Sequence, residues 1–126
     1  MPARRRFPPR VASLLASARM LAVRAGTGDH RFTGIWFVVV HGRLLVRPWN
    51  DKASGWRRAF LDEPRGTILL GEREIAVRAR IVRGERVFDT MDRAYAEKYA
   101  TPASRKWVRG FHLPRRRRTT MELTPR

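Results

Sequence analysis

Ile35-Trp36-Phe37-Val38-Val39-Val40-His41-Gly42-Arg43-Leu44-Leu45-Val46-Arg47 places two β-prone blocks around a two-residue reversal. The first block, read as a strand over Phe32 to Val40, is β-branched and aromatic without polar alternation, as expected of a strand covered on both faces. His41-Gly42 supplies turn chemistry, so Arg43 to Trp49 is predicted to return as the second arm of a hairpin. Farther along, Gly71-Glu72 separates Thr67–Leu70 from Arg73–Val82, a second hairpin. In its second arm Ile75, Val77, Ala79 and Ile81 alternate with polar and small residues, the pattern of a half-buried strand in a small barrel.

Outward from these hairpins the pattern turns helical. A short helix is predicted from about Arg10 to Ser17, then a strand from Arg19 to Ala25 and a loop at Gly26-Thr27-Gly28-Asp29. Ser54 is positioned to cap a helix running to Leu61, which Asp62-Glu63-Pro64 ends. Phe88, Met91, Tyr95 and Tyr99 form one stripe on a longer helix, Arg86 to Ala100. Thr101-Pro102 starts a further turn, Ala103 to Arg109, and Thr119 to Thr124 is read as a closing strand. The sequence supports one domain, residues 11–126, preceded by a basic, frayed segment, 1–10.

Composition narrows the chemistry. The 126 residues are 43% hydrophobic and carry a formal net charge of +17. Residues 1–31 contribute +6, 32–100 contribute +4 and 101–126 contribute +7, so the excess sits at the two ends. With no cysteine, disulfides, thiolate metal ligands and a cysteine nucleophile are excluded. His30, His41 and His112 have no paired spacing, and no metal site is expected. No serine lies in a nucleophile-elbow context, and Glu72 and Glu74 flank a turn, so neither a serine triad nor a paired-carboxylate hydrolase is indicated. The catalytic residues stay unassigned. No apolar run reaches the ~20 residues that span a bilayer. Arg4-Arg5-Arg6-Phe7 resembles an export signal, but Pro8-Pro9, Arg10 and Arg19 interrupt it, and the sequence is read as cytoplasmic.

The hairpin segment runs on through Trp49-Asn50-Asp51-Lys52 to Ser54-Gly55-Trp56. Together with Asp92-Arg93-Ala94-Tyr95-Ala96-Glu97-Lys98-Tyr99, it resembles an uncharacterised bacterial family of unknown function within the FMN-binding split-barrel superfamily. Pyridoxamine 5'-phosphate oxidases and deazaflavin-dependent nitroreductases are relatives of that family. The likeness covers about residues 14–124. It implies a mainly β fold with flanking helices, a six-stranded antiparallel split β-barrel assembled as a homodimer. It also implies FMN or a deazaflavin coenzyme in the groove between subunits, and with it small-molecule oxidoreductase chemistry.

In that superfamily basic and hydroxyl residues of a strand and of the following short helix grip the coenzyme phosphate. Carried onto this chain, the cofactor-binding candidates are Arg47, Asn50, Lys52, Ser54, Trp56, Arg57 and Arg58. The residue chemistry agrees: Arg47 and Lys52 oppose an anion's charge, Ser54 offers a hydroxyl at a helix start, and Trp49 or Trp56 can stack on a flat ring. Each candidate also has a plainer role. For Arg47 it is a pair with Asp51 or with a dimer partner, for Ser54 a helix cap, and for Lys52 a solvated amine. The chain departs from the family at Pro48, where a serine is common, at Arg57, where a tyrosine is common, and at Gly55. A cofactor-free dimeric ligand-binding or scaffold protein is therefore one alternative. The other is a non-specific nucleic-acid-binding protein. It would use Arg4 to Arg6, Arg105-Lys106 and Arg115 to Arg118, with Trp107 and Phe111 interleaved. The lack of a helix-turn-helix, RNA-recognition or zinc-finger pattern leaves it the less favoured of the readings.

Overall fold

A computed structural model describes residues 6–26 and 31–126. Residues 1–5 of the basic leader, with Arg4 and Arg5, lie outside the described residues, as do Thr27, Gly28 and Asp29 of the expected loop, and His30.

The chain order is α1 (Pro9–Ser17), β1 (Leu21–Ala25), β2 (Thr33–Ile35), β3 (Val38–Val40), β4 (Arg43–Val46), α2 (Trp56–Asp62), β5 (Arg65–Leu70) and β6 (Arg73–Ile81). It continues with α3 (Glu85–Lys98), a 3-10 turn (Pro102–Ser104), α4 (Arg105–Phe111), α5 (Pro114–Arg117) and β7 (Met121–Pro125). The strands form one antiparallel sheet in the order β2-β1-β5-β6-β7-β4-β3.

That order forces curvature. β2 and β3 are the two outer strands, yet only Trp36 and Phe37 connect them. Three extended steps cover at most about 11 Å, so the sheet must curl until its edges nearly meet. Closure by hydrogen bonding is missing at this point, and the barrel stays split. The expected continuous strand from Phe32 to Val40 is corrected accordingly: the chain leaves one edge of the sheet and enters the other. This break raises the strand count from six to seven.

Both hairpins form at the predicted residues. His41 (φ 52°) and Gly42 (φ 78°) turn β3 into β4, and Gly71 (φ 63°) turns β5 into β6. These left-handed conformations suit glycine, and His41 is the one described non-glycine residue that adopts one.

Two apolar layers sandwich β4. Leu44 and Val46 face the barrel interior with Val23, Phe37, Ile68, Val77 and Leu123, and α1 closes that interior with Val11 and Leu15. Leu45 faces outward into a second layer with Val38, Met91, Tyr95, Tyr99, Val108 and Phe111. Double coverage thus falls on β4, whereas Val39 is 39% exposed. Burying each such large aliphatic side chain is worth about 1.5–3 kcal/mol. The predicted stripe of α3 is fully borne out, with Phe88, Met91, Tyr95 and Tyr99 all buried. On β6, Val77 and Ala79 point inward as expected, but Ile81 is exposed at the strand's end. α2 begins at Trp56 with Gly55 as its N-cap, and no side chain caps it, so Ser54 is not the cap.

Candidate functional site

Beside β2 and the crossover that leaves it lies an aromatic cleft of about 380 Å³, an ordinary size for a small-ligand site. Trp36 enters it from the two-residue crossover and stacks on Tyr99, with centroids 3.9 Å apart and planes 5° from parallel. Trp49 enters from the end of β4, where Pro48 cannot donate to a ladder and the strand stops at Val46. Trp107 and Phe111 come from one face of α4 and meet the Trp49 ring edge-on, at 4.8 and 5.2 Å. Met20 and Gly34 complete the opposite wall. Trp107 is 41% and Met20 52% exposed, so the aromatic surface reaches solvent instead of closing into core. Such a surface suits a flat, conjugated ring.

Arg47 also lines this cleft, although its side chain is buried. Its Nε donates to Thr120 Oγ1 (2.9 Å), and Nη1 donates to Asp92 Oδ1 (2.6 Å) and to the Phe111 carbonyl (3.0 Å). Nη2 faces the Phe88 carbonyl at 3.4 Å. The guanidinium charge is met by Asp92, not by Asp51 as the sequence suggested. Arg47 therefore ties β4 to α3 and to the segment before β7.

The remaining predicted residues spread over two places. Ser54 and Trp56 line a different groove, of about 420 Å³, between α2 and β1. Trp56 packs edge-on against Phe60. Arg57 and Arg58 both donate to Asp51, at 3.0 to 3.1 Å. Partial burial pulls the Asp51 carboxyl up, but the hydrogen bonds and charges of these arginines outweigh it and hold the group below its ordinary range. Asn50 and Lys52 are exposed on the loop between the two regions. Arg47 at the first cleft and Ser54 with Trp56 at the second are thus not assembled into one pocket within a single chain.

The C-terminal basic run is partly built into the fold. Arg117 bridges to Glu85, Asp89 and Asp92 along α3. Arg116 is 9% exposed; its Nε donates to the Trp49 carbonyl (2.9 Å) and its Nη1 to that of Gly110 (3.0 Å), with its guanidinium 3.7 Å over the Trp49 ring. Arg115 and Arg118 remain exposed. On β7, Glu122 is buried between Arg43 of β4 and Arg80 of β6.

Three more groups near the split are perturbed. Lys98 Nζ donates to the Phe37 carbonyl (2.9 Å) and sits 3.3 Å from the centre of its ring. Burial first, and the Arg19 charge second, pull this amine down to about 8. Burial pushes the Tyr99 phenol up to about 12. It also raises Tyr95, whose hydroxyl has no hydrogen-bond partner among the described residues.

Trp36 is the site residue that sequence pattern hides, because an apolar strand reads as core. The only local sign is the exposed Gly34 two residues earlier. Among the described residues, no cluster of three metal-ligating side chains occurs, and no helix is long and apolar enough to cross a membrane.

A family model of uncharacterised proteins conserved in bacteria, DUF2255, matches residues 14–123. Among solved structures, HutZ, the heme storage protein of Vibrio cholerae, aligns with a TM-score of 0.68 at 12% identity, over 96% of this chain and 91% of that one. A candidate pyridoxamine 5'-phosphate oxidase from Listeria innocua gives 0.60 at 13% identity, over 92% and 90%. A conserved hypothetical protein of Mycobacterium tuberculosis gives 0.57 at 18% identity, over 98% and 82%. At such identities the likeness shows the fold alone, and the fold is split-barrel-like, as expected from the sequence. No curated protein matches the chain in sequence.

Proposed function

The chain belongs to the DUF2255 family of uncharacterised bacterial proteins, and from that premise we propose that it binds a small planar ligand of the flavin class in the tryptophan cleft. FMN and deazaflavin coenzymes are the members of that class the sequence resemblance implies. The observation that carries the reading is the convergence of Trp36, Trp49 and Trp107 on one solvent-reaching cleft. A bound flavin supplies the redox chemistry of its ring, and the protein's share is to stack, orient and shield that ring. Trp36 and Trp107 offer faces for stacking, while Phe111 and Met20 exclude water around it.

The predicted phosphate contacts fit less evenly. Arg47 already spends its donors on Thr120, Asp92, Phe111 and Phe88. Arg57 and Arg58 are held by Asp51. Asn50, Lys52 and Ser54 keep exposed side chains, and Trp56 is half buried. In the homodimer we propose, these belong to the partner-facing groove, so that one copy's loop can reach a ring held by the other. The unpaired edges of β2 and β3 and the exposed Met20, Val39 and Trp107 supply apolar surface for that contact.

The test is a titration of purified protein with FMN, read by quenching of flavin and tryptophan fluorescence, beside an absorption spectrum of the protein as isolated. Trp107→Ala is expected to weaken binding about tenfold without altering the fold, because stacking on one exposed ring is lost. Equal binding by both proteins would remove the cleft from the reading. Light scattering reports the homodimer.

A further inference from the structure

We propose that Arg116, with Arg115 beside it, is an anion-binding point for phosphate. It would hold the phosphate monoester of the ligand assigned above to the tryptophan cleft. The ring assignment rests on the flavin reading; the anion site stands on its own observations.

Among the described residues the other fully buried charges, Arg47 and Glu122, are matched. Arg47 has Asp92, Glu122 has Arg43 and Arg80, and Arg117 has three carboxylates. Arg116 differs. It is as buried as a core residue, yet no carboxylate lies within ion-pairing distance of it among the described residues. Its Nε and Nη1 are met only by the neutral carbonyls of Trp49 and Gly110. Nη2 has no partner among the described residues and is not sealed from solvent. Arg115, the charged neighbour that acts on it, is exposed and carries the same sign.

A guanidinium taken out of water is costly unless an opposite charge meets it. Stacking on the Trp49 face returns part of that cost. Burial, followed by repulsion from Arg115, pushes the group below its ordinary value, the sign of a cation short of an anion. A phosphate at the open Nη2 edge, shared with Arg115, would correct both deficits, since guanidinium presents donors in the planar array that phosphate oxygens accept.

The location links this anion to the cleft. The indole that Arg116 covers is the one that walls the cleft. Gly110 fixes the stack, because a Cβ there would run into the Trp49 ring and come 3.3 Å from Arg116 Nη1. Arg116 does not itself line the cleft, so a ring laid against the tryptophans would have to carry its acidic tail past the edge of Trp49 to reach it.

The experiment uses the full chain in a buffer free of phosphate and sulfate. Inorganic phosphate, FMN and riboflavin are titrated separately, with melting temperature and tryptophan fluorescence as readouts. Inorganic phosphate is expected to raise the melting temperature, and FMN to bind about tenfold more tightly than riboflavin. Arg116→Gln, which can still donate to a carbonyl, is expected to erase both effects. Arg115→Ala, at an exposed position that does not endanger folding, is expected to lower the FMN advantage about threefold. Equal affinity for FMN and riboflavin, with no response to phosphate, overturns the anion site and leaves the cleft reading intact. A phosphate response that Arg115→Ala weakens, without binding of either flavin, keeps the site and overturns the flavin reading.

Discussion

The phenol of Tyr99 stands in for a missing strand at Phe37. Its oxygen accepts the Phe37 N–H at 3.1 Å, while its single proton faces the carbonyls of Arg19 (2.5 Å) and Phe37 (3.1 Å). Phe37 lies between the two sheet edges, where no neighbouring strand is available, and its side chain is buried. Lys98 adds a second donor to the same carbonyl. The last turn of α3 thus satisfies the backbone of the crossover, and by stacking on Trp36 the same tyrosine sets one wall of the cleft.

Tyr99→Phe keeps the ring and removes only the hydroxyl. A buried N–H loses its acceptor, so a loss of about 1–3 kcal/mol in unfolding free energy is expected. Urea denaturation followed by circular dichroism measures it. A loss well under that range would mean that water reaches the crossover and that the phenol is dispensable there.

Arg47→Met should cost about 1–3 kcal/mol, because the buried Phe111 carbonyl and Thr120 hydroxyl lose their donor, while Asp92 keeps Arg117 as its partner. The four contacts of Arg47 join β4, α3 and the approach to β7, so the damage should be global. Thermal melts with and without FMN separate the roles. A variant that melts like the parent but fails to bind FMN would return Arg47 to the ligand site.

What the sequence could reveal followed the range of the interactions involved. The His41-Gly42 and Gly71-Glu72 turns were legible because their chemistry is local, and the α3 stripe because its 3.6-residue period repeats. The break at Trp36-Phe37 was not, since the group that satisfies it is 62 residues away. Ser54 illustrates a local competition: Gly55 takes the cap position, and the hydroxyl stays outside the helix. Arg47 and Arg116 are the same residue type with opposite fates. Only the fold reveals that Asp92, 45 residues from Arg47, neutralises one and nothing among the described residues neutralises the other. The candidate site was accordingly legible in residue type, tryptophan beside arginine, but not in which tryptophans and which arginine.

Stability should vary with alkaline pH in two directions. Lys98 titrates near 8 in the fold against 10.5 when free, so between those values the unfolded chain binds more protons and stability rises with pH. Tyr99 titrates near 12 in the fold against 10.0, so above pH 10 the folded chain holds more protons and stability falls. The half-exposed amine and its contact with the Phe37 ring, which favours the ammonium form, both moderate the rise. Melting temperatures from pH 7 to 11 should pass through a maximum near 10. Lys98→Met should flatten the rising limb relative to the parent; an unchanged limb would assign the rise to relief of the overall positive charge.

Gly110→Ala tests the wall that joins the cleft to Arg116. The new methyl would collide with the six-membered ring of Trp49, whose other contacts, with Arg116, Trp107 and Phe111, leave it little room to retreat. Alanine is the better helix former, so on propensity alone the change in α4 would stabilise by ~1 kcal/mol. Overpacking of a fixed aromatic costs about 1–3 kcal/mol and should outweigh that gain. The expected result is a net loss in unfolding free energy together with a shifted tryptophan emission maximum, as Trp49 leaves its place over the guanidinium. A stabilised protein with unaltered emission would show that Trp49 moves freely, and a cleft walled by a mobile indole would not hold a ring in one orientation.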